Sequence, residues 1–196
     1  ASNTRQRAGK WGDREASILD AAWDLIAERG FEAMTMADVA KAVGLSEGSL
    51  YNYVPSKREL AIRVAERWFQ NQSVTLADTL SALSSTREKI SLLVHRHMMM
   101  IVDQPELFLM WIREVRATDA YQTSSSRNIF RAYTGLLRET LRLGKKAGEI
   151  ETALSDDMIR DMIYGGAEHI AWTAIVQERA ADLKDGKAAH LLSETY

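Results

Sequence analysis

Apolar residues recur at a spacing close to 3.6 along almost the whole chain, and runs alternating in the manner of strands are hard to find. Only two prolines, Pro55 and Pro105, stand against that pattern. Such spacing restricts the chain to helices, so the expected fold class is all-α with about nine helices. The approximate spans are 13–29, 36–43, 47–53, 57–83, 86–102, 105–119, 125–147, 156–178 and 187–195. Their ends carry signals of their own. Gly30 closes the stripe of Ile18, Ala22, Leu25 and Ile26, where a helix C-terminus favours a left-handed residue. Thr35, Ser46, Ser56, Ser85 and Ser155 each precede a helical pattern, and Ser56 with Glu59 and Ser85 with Glu88 have capping-box spacing. Pro105 suits a first helical turn, where its missing N–H has no partner to lose.

Within this pattern the stretch "TMADVAKAVGLSEGSLYNYVPSKREL", residues 35–60, is unusually compact. A two-turn helix carries Val39, Ala40 and Val43 inward; Gly44 permits the positive φ of a tight turn. Leu45 plugs the turn, Ser46 caps a second helix, and Leu50 points back to the core. Ala40 is small enough for the two helices to cross closely. The arrangement is that of a helix-turn-helix, whose second helix enters a DNA major groove. The expected outer face carries Glu47, Gly48, Ser49, Tyr51, Asn52 and Tyr53: small residues for close approach, hydroxyls for phosphate oxygens, and an amide that can read a base edge. Lys57 adds a cation at the start of the following helix. The blander alternative is a three-helix packing unit whose tyrosines only cover a core.

Taken together, the glycine turn, the serine cap, "SLYNYV" and "PSKREL" in this order resemble the TetR-type one-component repressors, with the N-terminal pattern "A..aGvs.gtlY.yF.sKe.L". The matching positions are Ala40, Gly44, Leu45, Ser46, Gly48, Ser49, Leu50, Tyr51, Tyr53, Ser56, Lys57 and Leu60; Val54 departs from it, where an aromatic residue is common. The resemblance is strong over residues 13–65 and implies Thr35, Gly48, Ser49, Tyr51, Asn52, Tyr53 and Lys57 as DNA-facing on a double-stranded operator, with Ser46 opening the expected recognition surface. The expected organisation is a mobile N-terminal arm (1–12) bearing Arg5, Arg7 and Lys10, a DNA-binding domain (13–65, motif 36–55), and an effector-binding and dimerisation domain (66–196).

Composition qualifies this reading. Residues 1–70 hold ten Lys/Arg against ten Asp/Glu, so positive charge is local, not global. The longest apolar runs fall far short of the ~20 residues a membrane span needs. No secretory signal is visible and there is no cysteine, so a cytoplasmic location is expected, with no disulfide and no membrane partner. His95 and His97 are two residues apart and point to different sides of a helix; they read as solvated or core-edge residues, not ligands. His169 beside Glu168 has no chelating spacing. No catalytic set, metal site or cofactor is expected, and the chain is not read as an enzyme.

After residue 86 the apolar surface is in surplus. Met99, Phe108, Trp111, Phe130, Tyr133 and Tyr164 are the candidate lining of an effector pocket, with Arg113 and Arg116 nearer a polar head group. A methionine-filled core is the plain alternative. "IREVR", Gly144 to Ile150 and Ile163 to Trp172 are similar, more loosely, to the repressors of fatty-acid degradation that sense acyl-CoA. That similarity implies a small apolar effector, an acyl-CoA or a related long acid; a multidrug-type cation sensor is the alternative within the family. Outside it stand a helical interaction module without DNA binding and a small all-helical enzyme. Residues 156–178 carry apolar positions around most of the helix, wider than one core stripe needs; a deeply buried central helix is the plain alternative. Met158, Met162, Gly165, His169, Trp172 and Val176 are therefore assigned to a homodimer contact, on the expectation that two-fold dimers match palindromic half-sites.

Overall fold

The computed structural model describes the backbone of residues 2–189 and the side chains of residues 12–189. Eight α-helices follow one another among the described residues: α1 (Ser2–Ala33), α2 (Met36–Ala42), α3 (Glu47–Tyr51), α4 (Lys57–Ser81), α5 (Thr86–Asp103), α6 (Pro105–Met110), α7 (Ser125–Ala147) and α8 (Asp156–Val176). The fold is all-α, as the periodicity requires. A π-helical segment (Trp111–Arg116) and two 3-10 turns (Asp119–Thr123 and Ala180–Leu183) complete it. The span expected over 105–119 is thus α6 running into a wider coil, where the Ala117 amide bonds Ile112 O, five residues back, at 3.0 Å. Most of the span expected at 187–195 lies outside the described residues, as do the side chains of Arg5, Arg7 and Lys10.

The chain divides into two compact units, residues 1–67 with 106–126, and residues 68–105 with 127–196. In the first, α1 is broken at Gly30 (φ 81, ψ 158), backbone space open only to glycine, and a Cβ there would stand 2.8 Å from Glu106 Oε2. Ile18, Ala22 and Ile26 of α1 meet Val39 and Ala40 of α2, Leu50 of α3, Val54, and Leu60, Ala61 and Val64 of α4 in a fully buried core. Val54 fills its place there without an aromatic ring. Arginines bind the outside of this core: Arg63 reaches Glu59 (2.8 Å), Glu15 (2.9 Å) and Tyr53 O (3.1 Å), while Arg67 reaches Asp20 (2.7 Å) and Ala16 O (3.1 Å). Hydrogen bonding with Glu59 and the nearby carboxylate of Glu15 raise the Arg63 guanidinium above its usual value, so the charge is permanent.

In the second unit α5 packs along α8. Ile159, Ile163, Ala167, Ala171 and Ala174 form the buried face of α8, and the three alanines let the helices approach closely. The buried face of α5 carries Leu93, Val94, His97 and Ile101. The stretch from Gly144 to Ile150 closes α7 on a glycine. Gly148 takes φ 75, and the Glu149 and Gly148 amides bond Gly144 O and Lys145 O, closing a Schellman motif. The Glu149 carboxylate accepts the Thr86 amide at 3.2 Å at the start of α5. Gly144 is where Thr86 and Ile150 come in: a Cβ there would lie 2.6 Å from Thr86 Cγ2 and 2.9 Å from Ile150 Cδ1.

Candidate DNA-reading surface and effector core

The turn between α2 and α3 is built from short-range bonds. The Leu45 amide bonds Ala40 O at 2.8 Å and the Gly44 amide bonds Lys41 O at 3.2 Å, with Gly44 at φ 66. This is again a Schellman stop, made possible by the one residue with no Cβ to clash. Arg14 adds a guanidinium to Val43 O at 3.2 Å. Thr35 and Asp38 form the full capping box of α2: the Asp38 amide donates to Thr35 Oγ1, and the Thr35 amide and hydroxyl donate to Asp38 Oδ2 at 3.0 and 2.6 Å. Those bonds, joined by Arg29 at 3.0 Å, hold the Asp38 carboxyl below its ordinary value. Ser46 caps α3, accepting the Ser49 amide at 3.2 Å, and its hydroxyl lies 2.7 Å from the Ser49 hydroxyl.

Of the residues expected to face DNA, Thr35, Ser46, Gly48, Tyr51 and Asn52 are exposed, Tyr51 to 44%, and Ser49, Tyr53 and Lys57 are half-buried. A Cβ on Gly48 would meet nothing within 4 Å, so packing inside the chain does not require a glycine there. Lys57 has a second occupation that its sequence position does not announce. Its Nζ donates to Glu32 O at 3.1 Å and lies 4.5 Å from the Phe31 ring centroid, tying the start of α4 to the end of α1.

The eight candidate pocket residues fall in both units. Phe108 and Trp111 are buried in the first unit, Trp111 edge-on to Tyr121 at 5.5 Å, while Arg113 and Arg116 of the π-helical segment are exposed. Phe130, Tyr133 and Tyr164 gather in the second, with Phe69 5.0 Å from Phe130 and 5.4 Å from Tyr133, and Tyr133 stacked 6.2 Å from Tyr164; Met99, in the same unit, is half-buried. At the centre of this cluster stands a residue the sequence reading placed at the surface or edge. His97 is 1% exposed, its Nδ1 lies 3.0 Å from the Tyr133 hydroxyl, and its ring lies 4.4 Å from that of Tyr164. The correction has a simple cause: position 97 falls on the same face of α5 as Leu93, Val94 and Ile101, and a tyrosine waits there to take its polar atom. Tyr164 and Glu168 also turn inward: Tyr164 is buried, and Glu168 Oε1 comes to 3.6 Å from His97 Nε2.

On α8 the six residues assigned to a dimer contact form one stripe. Met158, Met162, Trp172 and Val176 are exposed large apolar residues, Met158 to 51% and Val176 to 65%, with Gly165 and His169 exposed between them. At ~100° per residue they fall within an arc of about 80°, opposite the alanine-lined buried face. Among the described residues no group of three or more His, Cys, Asp or Glu is arranged to hold a metal ion, and no helix is long and apolar enough to cross a membrane.

Comparison with known proteins supplies the family. Residues 18–64 match the model of bacterial regulatory proteins of the tetR family, and residues 70–192 match that of the C-terminal region of YsiA-like proteins. The fatty acid metabolism regulator protein of Bacillus subtilis is 24% identical over 166 residues, spanning 85% of this chain and 86% of that one. The HTH-type transcriptional repressor KstR2 of Rhodococcus jostii is 26% identical over 173 residues, 86% and 80% of the two chains. The structure of the regulator FadR from Bacillus subtilis in complex with stearoyl-CoA has the same fold (TM-score 0.78, 22% identity, 92% of this chain and 97% of that one). So does a regulator from Saccharomonospora viridis in complex with choline (TM-score 0.77, 18% identity, 93% and 95%). The helix-turn-helix geometry and both halves of the chain agree: this protein is a transcriptional regulator belonging to the tetR family of bacterial regulatory proteins, with a YsiA-like C-terminal region.

Proposed function

We propose that this regulator is a cytoplasmic, homodimeric repressor, not an enzyme, which leaves a palindromic operator when its C-terminal domain takes up a fatty acyl thioester or a similar long apolar effector. Thr35, Ser46, Gly48, Ser49, Tyr51, Asn52, Tyr53 and Lys57 face the DNA. The exposed α8 stripe joins two copies, so that two α3 helices meet successive major grooves about one helical turn apart. The observation that carries the effector reading is the likeness along nearly the whole chain to a fatty acid metabolism regulator, joined to a second-unit core rich in methionine and aromatic rings. Adaptable apolar side chains suit a flexible hydrocarbon guest.

A cationic effector is the rival reading. The choline complex of a neighbour has the same fold, and Glu168 brings a carboxylate to an aromatic cluster, a combination suited to quaternary ammonium ions. Titration of the protein–operator complex with acyl-CoAs of graded chain length, free fatty acids and cationic drugs decides between them. Release by long acyl-CoAs alone is the expected result; release by the cations alone sinks the acyl-thioester reading.

A further inference from the structure

Packing leaves part of the polar cluster in the second unit unused. His97 Nδ1 is engaged with the Tyr133 hydroxyl at 3.0 Å, but Nε2 stands 3.6 Å from Glu168 Oε1, outside hydrogen-bonding range. The Tyr164 hydroxyl sits on a residue only 5% exposed and has no hydrogen-bond partner among the described residues; His97 Nε2 has none either. Buried polar atoms are nearly always paired, because leaving one unpaired forfeits its hydration with no return. Two such atoms on rings 4.4 Å apart point to something that occupies this place in the working protein.

The chemistry of the missing partner follows from the protons. Burial, with Tyr164 and Glu168 nearby, pushes the Tyr133 phenol well above its ordinary value, and burial raises Tyr164 likewise, so both are neutral O–H groups. With the imidazole proton on Nε2, the nitrogen nearer the Glu168 carboxylate, Nδ1 accepts from Tyr133. The Tyr133 proton is then committed, and that of Tyr164 is not. What Tyr164 lacks is an acceptor. A ligand carboxylate would be repelled by Glu168, and a quaternary ammonium group has no acceptor to offer. A carbonyl or hydroxyl oxygen meets both conditions.

We propose that Tyr164, backed by His97, Tyr133 and Glu168, is a seat for a neutral oxygen of the effector, so that the second unit selects an oxygenated acyl ligand over a bare hydrocarbon chain. The oxygen is either the thioester carbonyl or a hydroxyl along the chain. This rests on the acyl-thioester reading above and narrows it.

Three probes with one head group test it by calorimetry on the full chain: hexadecanoyl-CoA, 3-hydroxyhexadecanoyl-CoA, and hexadecyl-CoA, a thioether with no carbonyl. The wild type should bind at least one oxygenated probe about three- to tenfold more tightly than the thioether, the span of a single neutral hydrogen bond. A preference for the hydroxylated probe over hexadecanoyl-CoA locates the seat along the chain, and equal binding of those two locates it at the thioester. Tyr164→Phe should erase the preference and leave thioether affinity unchanged. Without ligand, Tyr164→Phe should melt within ~2 °C of the wild type or above it, since the hydroxyl removed has no hydrogen-bond partner among the described residues. Equal binding of all three probes by the wild type, a parallel loss of all three in Tyr164→Phe, or a melting temperature lowered by ~5 °C or more overturns the seat and leaves the acyl-thioester reading standing. Failure of all three to bind the wild type overturns both.

Discussion

Lys57 is the residue on which the proposed DNA-facing surface and the internal scaffold meet. One of its three ammonium protons is taken by Glu32 O, and the others are available to a phosphate. Lys57→Ala should therefore weaken binding to all DNA sequences alike and flatten the salt dependence by about one unit for each head, measured by fluorescence anisotropy across a salt series. A loss confined to the operator would assign Lys57 to base reading instead. Gly48 poses the opposite case, a glycine that the fold itself does not require. Gly48→Ala should raise thermal stability, by up to about 1 kcal/mol on helix propensity, and yet lower operator affinity if the added methyl stands on the proposed DNA-facing surface. Unchanged affinity would remove Gly48 from the interface. Gly144 is required by packing: Gly144→Ala should cost about 1–3 kcal/mol in urea unfolding as Thr86 and Ile150 are pushed aside. Three glycines, three reasons: Gly44 was legible beside its turn, whereas Gly48 and Gly144 depend on what lies across from them.

At the scale of the helix, α8 shows how far periodicity carries. Its excess of apolar positions was visible in the sequence, and the structure resolves the excess into two opposite faces, one buried on α5 and one exposed. Gly165 lies on the exposed face with nothing within 4 Å of its Cβ position. A large side chain is thus accommodated by a single chain and obstructs only a twin. Gly165→Trp should leave helical content and the N-terminal fold intact while shifting the protein to monomer in light scattering and abolishing tight operator binding. Persistence of the dimer would move the contact off this face. The π-helical segment after α6 has no such signal, since one extra residue in a turn changes no apolar count, and periodicity alone gives ordinary helix there.

At the scale of the whole molecule, regulation requires the effector to bind one state of the protein more tightly than another. Equal affinity for both shifts nothing, and a complete switch needs a preference of about 10⁴-fold. If an acyl thioester is the effector, a saturating amount should weaken operator affinity by at least about a hundredfold, some 2.7 kcal/mol of coupling, in the titration described above. By reciprocity operator DNA should weaken effector binding by the same factor. An effector affinity indifferent to DNA would end the repressor–inducer scheme.

What the sequence determined by itself is local: the helices and their caps, the Gly30 and Gly44 breaks, and the order of turn, cap and tyrosines that marks a DNA reader. Each depends on side chains reaching backbone only a few residues away, as Thr35 reaches Asp38 and Ser46 reaches Ser49. Tertiary structure decided which polar residues are turned inward. His97 on α5, Tyr133 on α7, and Tyr164 and Glu168 on α8 come from three different helices, His97 and Tyr133 being 36 positions apart, and nothing in the spacing of any one helix marks them as partners. Burial of a polar side chain is set by what meets it across the core, and that meeting exists only once the chain has folded.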